Sequence, residues 1–122
     1  MTIKVRRVVT GHDGKGRAVV KIDAVSKNIV SNRPGASACV VWTTDTFPAD
    51  NSGDSDPSTK KIGTTLPGGT VFRIIEFSAG LRGFRGTVHC WVNRGKVPCV
   101  MAFVLVDAKP AQAGGKTLNA FG

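Results

Sequence analysis

Acidic residues are scarce in this chain. There are eight, of which only Glu76 is a glutamate, against seventeen lysines and arginines, leaving a net charge of +9. A balance this basic predicts attraction to anions, whether phosphate, carboxylate or nucleic acid, without saying which. Cysteine is equally sparse. Cys39, Cys90 and Cys99 form no C-x-x-C pair and are too few for a disulfide framework, as expected of a reduced cytoplasmic chain. No apolar run is long enough to span a bilayer, and Met1-Thr2-Ile3-Lys4 lacks the apolar block of a signal peptide. There is no N-x-S/T acceptor and no lipidation signature. With 122 residues, of which 41% are hydrophobic, one modest core is expected and a two-domain enzyme is not.

What the chain does have is strand pattern. Ile3–Val9, Arg17–Asp23, Ala36–Thr43, Thr70–Phe77, Thr87–Asn93 and Cys99–Asp107 are short and rich in Val, Ile, Phe or Trp. Each is bounded by Gly, Pro, Asn or Asp. No window carries a capped i, i+3, i+4, i+7 stripe, so little helix is expected. Cys99–Val106 is almost wholly apolar and reads as a strand buried on both faces. Gly11-His12-Asp13-Gly14-Lys15-Gly16 reads as a hairpin turn rather than a phosphate loop, because the G-x-x-x-x-G-K-[ST] spacing is absent. His12 is expected to be solvated there.

Charge is unevenly distributed. Residues 1–33 carry eight bases and two acids, residues 34–69 two bases and four acids, and residues 70–122 seven bases and two acids. The stretch from Thr44 to Gly69 holds Pro48, Pro57 and Pro67 and the run Asp50-Asn51-Ser52-Gly53-Asp54-Ser55-Asp56. It reads as a long solvated loop that balances the basic strands, since its aspartates lack the EF-hand spacing and terminal Glu. Residues 1–110 are expected to form one β domain, and residues 111–122, without apolar period, a flexible C-terminal arm.

Chemistry-bearing residues concentrate in Thr87-Val88-His89-Cys90-Trp91-Val92-Asn93. Strand alternation places Thr87, His89, Trp91 and Asn93 on one face and Cys90 on the other. An imidazole beside an indole makes a wall for a small-molecule pocket; a partly buried structural histidine is the plainer alternative. With two histidines in the chain, only His89 is a reasonable base.

The segment from Gly86 to Gly95 resembles the second motif of the cupin superfamily, G-x-x-H-x-x-x-N, with His89 and Asn93 at its signature positions. Pro98–Asp107 is similar to the closing strand of one small-cupin group. Arg6-Arg7-Val8-Val9-Thr10-Gly11-His12-Asp13, Trp42-Thr43-Thr44-Asp45 with Pro48-Ala49-Asp50-Asn51, and Pro67–Phe77 follow that group in order, so the likeness covers nearly all of residues 3–110. The resemblance implies an all-β fold, a truncated cupin-like jelly-roll barrel or sandwich. It departs from cupins in one respect: the H-x-H and following Glu of the first motif are missing. Only Ser78–Gly86 joins the two flanking segments. His89 alone matches a ligand position, and one histidine does not hold a transition metal. The expectation is therefore no metal and no cofactor.

A barrel short of its central strands exposes sheet edges, which a second copy of the chain is expected to cover, with exchange of N-terminal strands as one way to do so. The expected partners are a small-molecule ligand and that second copy; neither nucleic acid nor a membrane is expected. Leu81-Arg82-Gly83-Phe84-Arg85-Gly86 has an arginine-glycine look that RNA-binding segments share, but it reads better as the turn that bypasses the missing strands. The functional expectation is a pocket for a small anionic metabolite. Any catalysis would be metal-independent proton transfer by a lyase, isomerase or cyclase, with His89 as acid or base. Trp42, Phe72 and Trp91 form the expected apolar wall, Asn93 lines it, and Arg73 or Arg85 holds the carboxylate. Arg73 has opposite parity to Phe72. Two alternatives stay open: a non-enzymatic scaffold in which His89 is a relic, and a metal-dependent dioxygenase with ligands shared across a dimer. One sequence leaves open whether this is a natural short form or an internally deleted cupin.

Overall fold

The computed structural model describes residues 3–85 and 90–119, apart from the side chains of Asn32, Phe84 and Arg85. Alternation of apolar and polar residues produces strands throughout. β1 (Arg6–His12) and β2 (Ala18–Val25) form a hairpin. β3 (Ile29–Arg33), β4 (Ala36–Thr44), β5 (Thr70–Phe77) and β8 (Cys99–Val106) form an antiparallel sheet in the order β3-β4-β5-β8. Two small hairpins complete the chain: β6 (Phe84–Arg85) with β7 (Cys90–Trp91), and β9 (Ala111–Ala113) with β10 (Lys116–Leu118). A single 3-10 turn, Pro57–Thr59, interrupts the described residues, and none of them is α-helical. The fold is all-β and consistent with a cupin-like β-sandwich.

Local chemistry explains the joints. In the β1–β2 turn the Asp13 carboxylate accepts from the Lys15 and Arg17 backbone N–H groups at 2.8 and 3.0 Å, which closes the hairpin expected there. Pro34-Gly35 joins β3 to β4, and Gly35 takes φ +85°, a conformation side chains rarely adopt. Gly69 ends the long loop so tightly against β4 that a Cβ would lie 1.8 Å from the Thr44 carbonyl oxygen. The loop does balance the basic strands: Asp56 pairs with Arg7 and Asp54 with Lys21.

Register decides which side chains meet. Across β4, β5 and β8 the pairs Val40–Arg73, Thr43–Val71, Ile75–Met101, Arg73–Phe103 and Val71–Leu105 share one face of the sheet. Trp42–Phe72, Cys39–Ile74 and Phe72–Val104 share the other. Val71, Cys39 and Phe77 are among the core residues and are nearly inaccessible to solvent.

One expectation needs correction. β8 is an edge strand, and Val100, Val104 and Val106 are 56, 64 and 61% exposed, so the strand is not buried on both faces. Along the strand Met101, Phe103 and Leu105 are partly buried while Val100, Ala102, Val104 and Val106 are exposed, so one face alone packs inward. Residues 111–118 fold as a hairpin with Gly114 and Gly115 at positive φ, the turn that suits a two-residue connection.

Candidate functional site

The face of the sheet that carries Arg73 is where apolar and charged chemistry converge. Phe77 ends β5, and Phe103 sits in mid-β8 opposite Arg73. β7 brings Trp91 onto both. The Trp91 ring stacks on Phe77 with centroids 6.0 Å apart and meets Phe103 edge-on at 5.4 Å; Phe77 and Phe103 meet edge-on at 6.3 Å. Such offset and T-shaped pairs place a positive ring edge against a negative ring face. A small cleft of about 60 Å³ opens beside them, lined by Phe77, Trp91, Val92, Asn93, Cys99 and Met101.

Asn93 holds the chain end of this cleft. Its Nδ2 donates to the carbonyls of Phe77, Ser78 and Val97 at 3.2, 3.1 and 2.9 Å, and its Oδ1 accepts from the Gly95 N–H at 2.9 Å. The side chain thus staples the segment after β7 to the end of β5, and its polar atoms are engaged by backbone.

Arg73 is the charged group of this face. Its Nη2 donates to the Gly63 carbonyl in the long loop, while its Nε is buried without a partner. No carboxylate pairs with it among the described residues. Burial lowers its pKa from the ordinary arginine value, because a desolvated cation without a counter-charge is disfavoured.

The expected site residues are therefore divided. Trp91, Asn93 and Arg73 share one side of the sheet, whereas Trp42 and Phe72 pair on the opposite face. His89 lies outside the described residues, as does the side chain of Arg85. Sequence reasoning missed Phe77, Phe103 and Gly63. The two phenylalanines carry a parity signal, since Phe77 lies four residues from Arg73 on the same strand. Gly63 carries none.

A cupin resemblance raises the question of a metal. Among the described residues no three His, Cys, Asp or Glu side chains gather as a donor set. No helix among the described residues is long and apolar enough to cross a membrane.

No protein-family model matches the chain. It is 26% identical to phomopsin biosynthesis cluster protein C′ of Diaporthe leptostromiformis, an alignment covering 93% of this chain and 84% of that protein. It is 22% identical to the cupin-domain-containing oxidoreductase fogC of Aspergillus ruber, covering 97% of this chain and 80% of the relative. The alignments run over 160 and 162 positions against 122 residues here, so each relative contains stretches with no counterpart in this chain. The all-β antiparallel fold and this distant likeness together support a cupin-like protein in general.

Proposed function

We propose that this cupin-like chain binds a small anionic metabolite on the Arg73 face of its main sheet. The observation that carries the reading is Arg73 itself, a partly buried guanidinium with no carboxylate beside it and a free buried Nε. An anion gains most at such a place, because the field is least screened there. Phe103, directly opposite Arg73, together with Trp91 and Phe77, supplies the apolar wall for the rest of the ligand. Trp42 and Phe72, on the far face, take no part in it.

His89, two residues before Trp91 in the sequence and at the histidine position of the cupin-like motif, is the proposed acid or base of a metal-independent lyase, isomerase or cyclase reaction. His89→Ala is expected to abolish turnover with the fold retained. Unchanged turnover returns the protein to the scaffold reading.

Benzoate serves as a probe for the binding step, with benzamide as its uncharged isostere. Calorimetry is expected to show benzoate binding that weakens about tenfold in Arg73→Lys, which keeps the charge but loses the planar fork. Equal affinity for benzoate and benzamide, or for wild type and variant, overturns the reading.

The same proposal includes a homodimer. β8 is a long edge strand without charge or proline, an arrangement soluble proteins usually protect, and the relatives contain stretches this chain lacks. Native mass spectrometry without added metal tests this, with a metal-free dimer expected. The relative's name as an oxidoreductase favours a second reading, a metal-dependent dioxygenase with donors shared across two chains. A dimer retaining stoichiometric iron, manganese, nickel or zinc would establish that reading instead, and a monomer would remove the dimer.

A further inference from the structure

Three arginines show how this chain engages oxygen atoms. Arg6 presents Nε and Nη2 to the two carboxylate oxygens of Asp23, both at 2.7 Å. Arg7 presents Nη1 and Nη2 to Asp56 at 2.9 and 2.8 Å, and although its Nε is also buried without a partner, its charge is met by that carboxylate. Arg73 has the same Nε–Nη2 edge as Arg6, yet only Nη2 is engaged, by the neutral Gly63 carbonyl, while Nε is buried and unpartnered. Two parallel N–H donors on one edge match the two oxygens of a carboxylate. A single carbonyl oxygen fills half of that edge.

Gly63 belongs to a segment that is held by hydrogen bonds at both ends, with Ile62 and Thr65 partly buried between them. On one side the Asp56 carboxylate and Ser58 hydroxyl are held by Arg7, the Pro57 carbonyl accepts from Thr43 Oγ1 at 2.9 Å, and the Ser58 carbonyl accepts from Asn28. On the other, the Gly68 N–H donates to the Asp107 carboxylate at 2.7 Å, and the Asp107 N–H to the Gly69 carbonyl at 2.9 Å. Between them, among the described residues, the Gly63 carbonyl bond to Arg73 is the hydrogen bond that ties residues 61–65 to the rest of the protein.

The geometry points to a carboxylate subsite on the Nε–Nη2 edge of Arg73, kept half-filled by the Gly63 carbonyl, which an incoming carboxylate displaces. The inference rests on the reading of Arg73 as the anion-binding residue and adds the mode of entry. Residues 61–65 lift as a flap between their two fixed ends. A charge-assisted pair is roughly twice as strong as a neutral hydrogen bond, and only a carboxylate also satisfies Nε. The ligand class is thereby a carboxylate, or a planar oxyanion of the same span, rather than a lone halide or an amide.

Limited proteolysis of the full chain at Lys61 reports the flap, because Lys61 is exposed and cleavage requires the segment to leave the surface. Cleavage after Lys61, measured by mass relative to cleavage after Lys15 in the exposed β1–β2 turn, is expected to rise about fivefold with saturating benzoate and to stay unchanged with benzamide. In Arg73→Met it is expected to be fast without ligand and insensitive to benzoate. The wild-type comparison needs no variant to fold. If benzoate binds in an Arg73-dependent way while cleavage after Lys61 slows or stays constant, the flap is wrong and the anion reading survives. If benzoate binds equally to Arg73→Lys or fails to bind, both fall.

Discussion

Arg7 and Arg73 grip the same loop at two places, each with a buried Nε that has no partner, but only Arg7 meets a counter-charge. Arg7, 8% exposed, meets the Asp56 carboxylate through two nitrogens and Ser58 through a third contact of 2.6 Å. Arg73 meets one neutral carbonyl. A buried cation with its counter-charge is a fastening, whereas one without it favours an anion from outside. The same contrast runs through the whole chain. Two acids of the loop, Asp56 and Asp54, pair with Arg7 and Lys21 of the first hairpin, and Asp45 pairs with Lys60 within the loop. Residues 70–122 carry seven bases against two acids, and that part of the molecule also carries the aromatic cleft.

The largest effect should separate the two arginines directly. Asp56→Asn leaves Arg7 buried beside a neutral group and is expected to cost about 3 kcal/mol in urea unfolding. Arg73→Met removes an unpaired desolvated cation and is expected to lose no stability. Equal losses at both positions would erase the distinction.

A smaller effect lies in acid. Hydrogen bonds from Arg7, against the opposing effect of burial and with help from Ser58, hold the Asp56 carboxyl below its ordinary value of 3.8. A carboxylate whose folded pKa is depressed adds stability that is fully present above the unfolded value. That stability disappears as pH falls toward the folded one. Wild-type stability should therefore decline below about pH 4, and the gap between wild type and Asp56→Asn should narrow over the same range. Asp13, Asp23, Asp45 and Asp50 are lowered too, by local hydrogen bonds. The difference between the two proteins isolates Asp56 from them. A gap independent of pH would mean that the clasp does not act through its charge.

The smallest effect belongs to Arg6. Its pair with Asp23 has good geometry, but the two side chains are 69 and 45% exposed. Water screens both partners, so Arg6→Gln is expected to leave the urea midpoint unchanged. A loss comparable to that of Asp56→Asn would show that exposure does not govern these pairs.

Much of the fold was legible. β4, β5 and β8 follow runs whose composition and bounding residues identify strands, and β5 keeps its expected limits. β3 was missed because Ile29-Val30-Ser31-Asn32-Arg33 is half polar and too short to show a period. β9 and β10 were missed because alanine, glutamine and lysine carry no apolar pattern, although Gly114-Gly115 is a readable turn. Of the site, Trp91, Asn93 and Arg73 were legible as residue types, and the parity of Arg73 against Phe72 correctly separated their faces. The Arg7–Asp56 clasp was not, because 49 residues separate its partners and no local pattern links them.

Composition and alternation by themselves determined that this is a basic, all-β chain whose long central loop returns negative charge to its first strands. These properties are local or additive: strand preference lies within a few residues, and charge sums wherever it sits. Only the tertiary structure decided that β8 lies at an edge, that Phe103 stands opposite Arg73 beneath Trp91, and that Gly63 rests on the guanidinium. Those outcomes depend on strand order and register, and a register is chosen by the whole sheet at once.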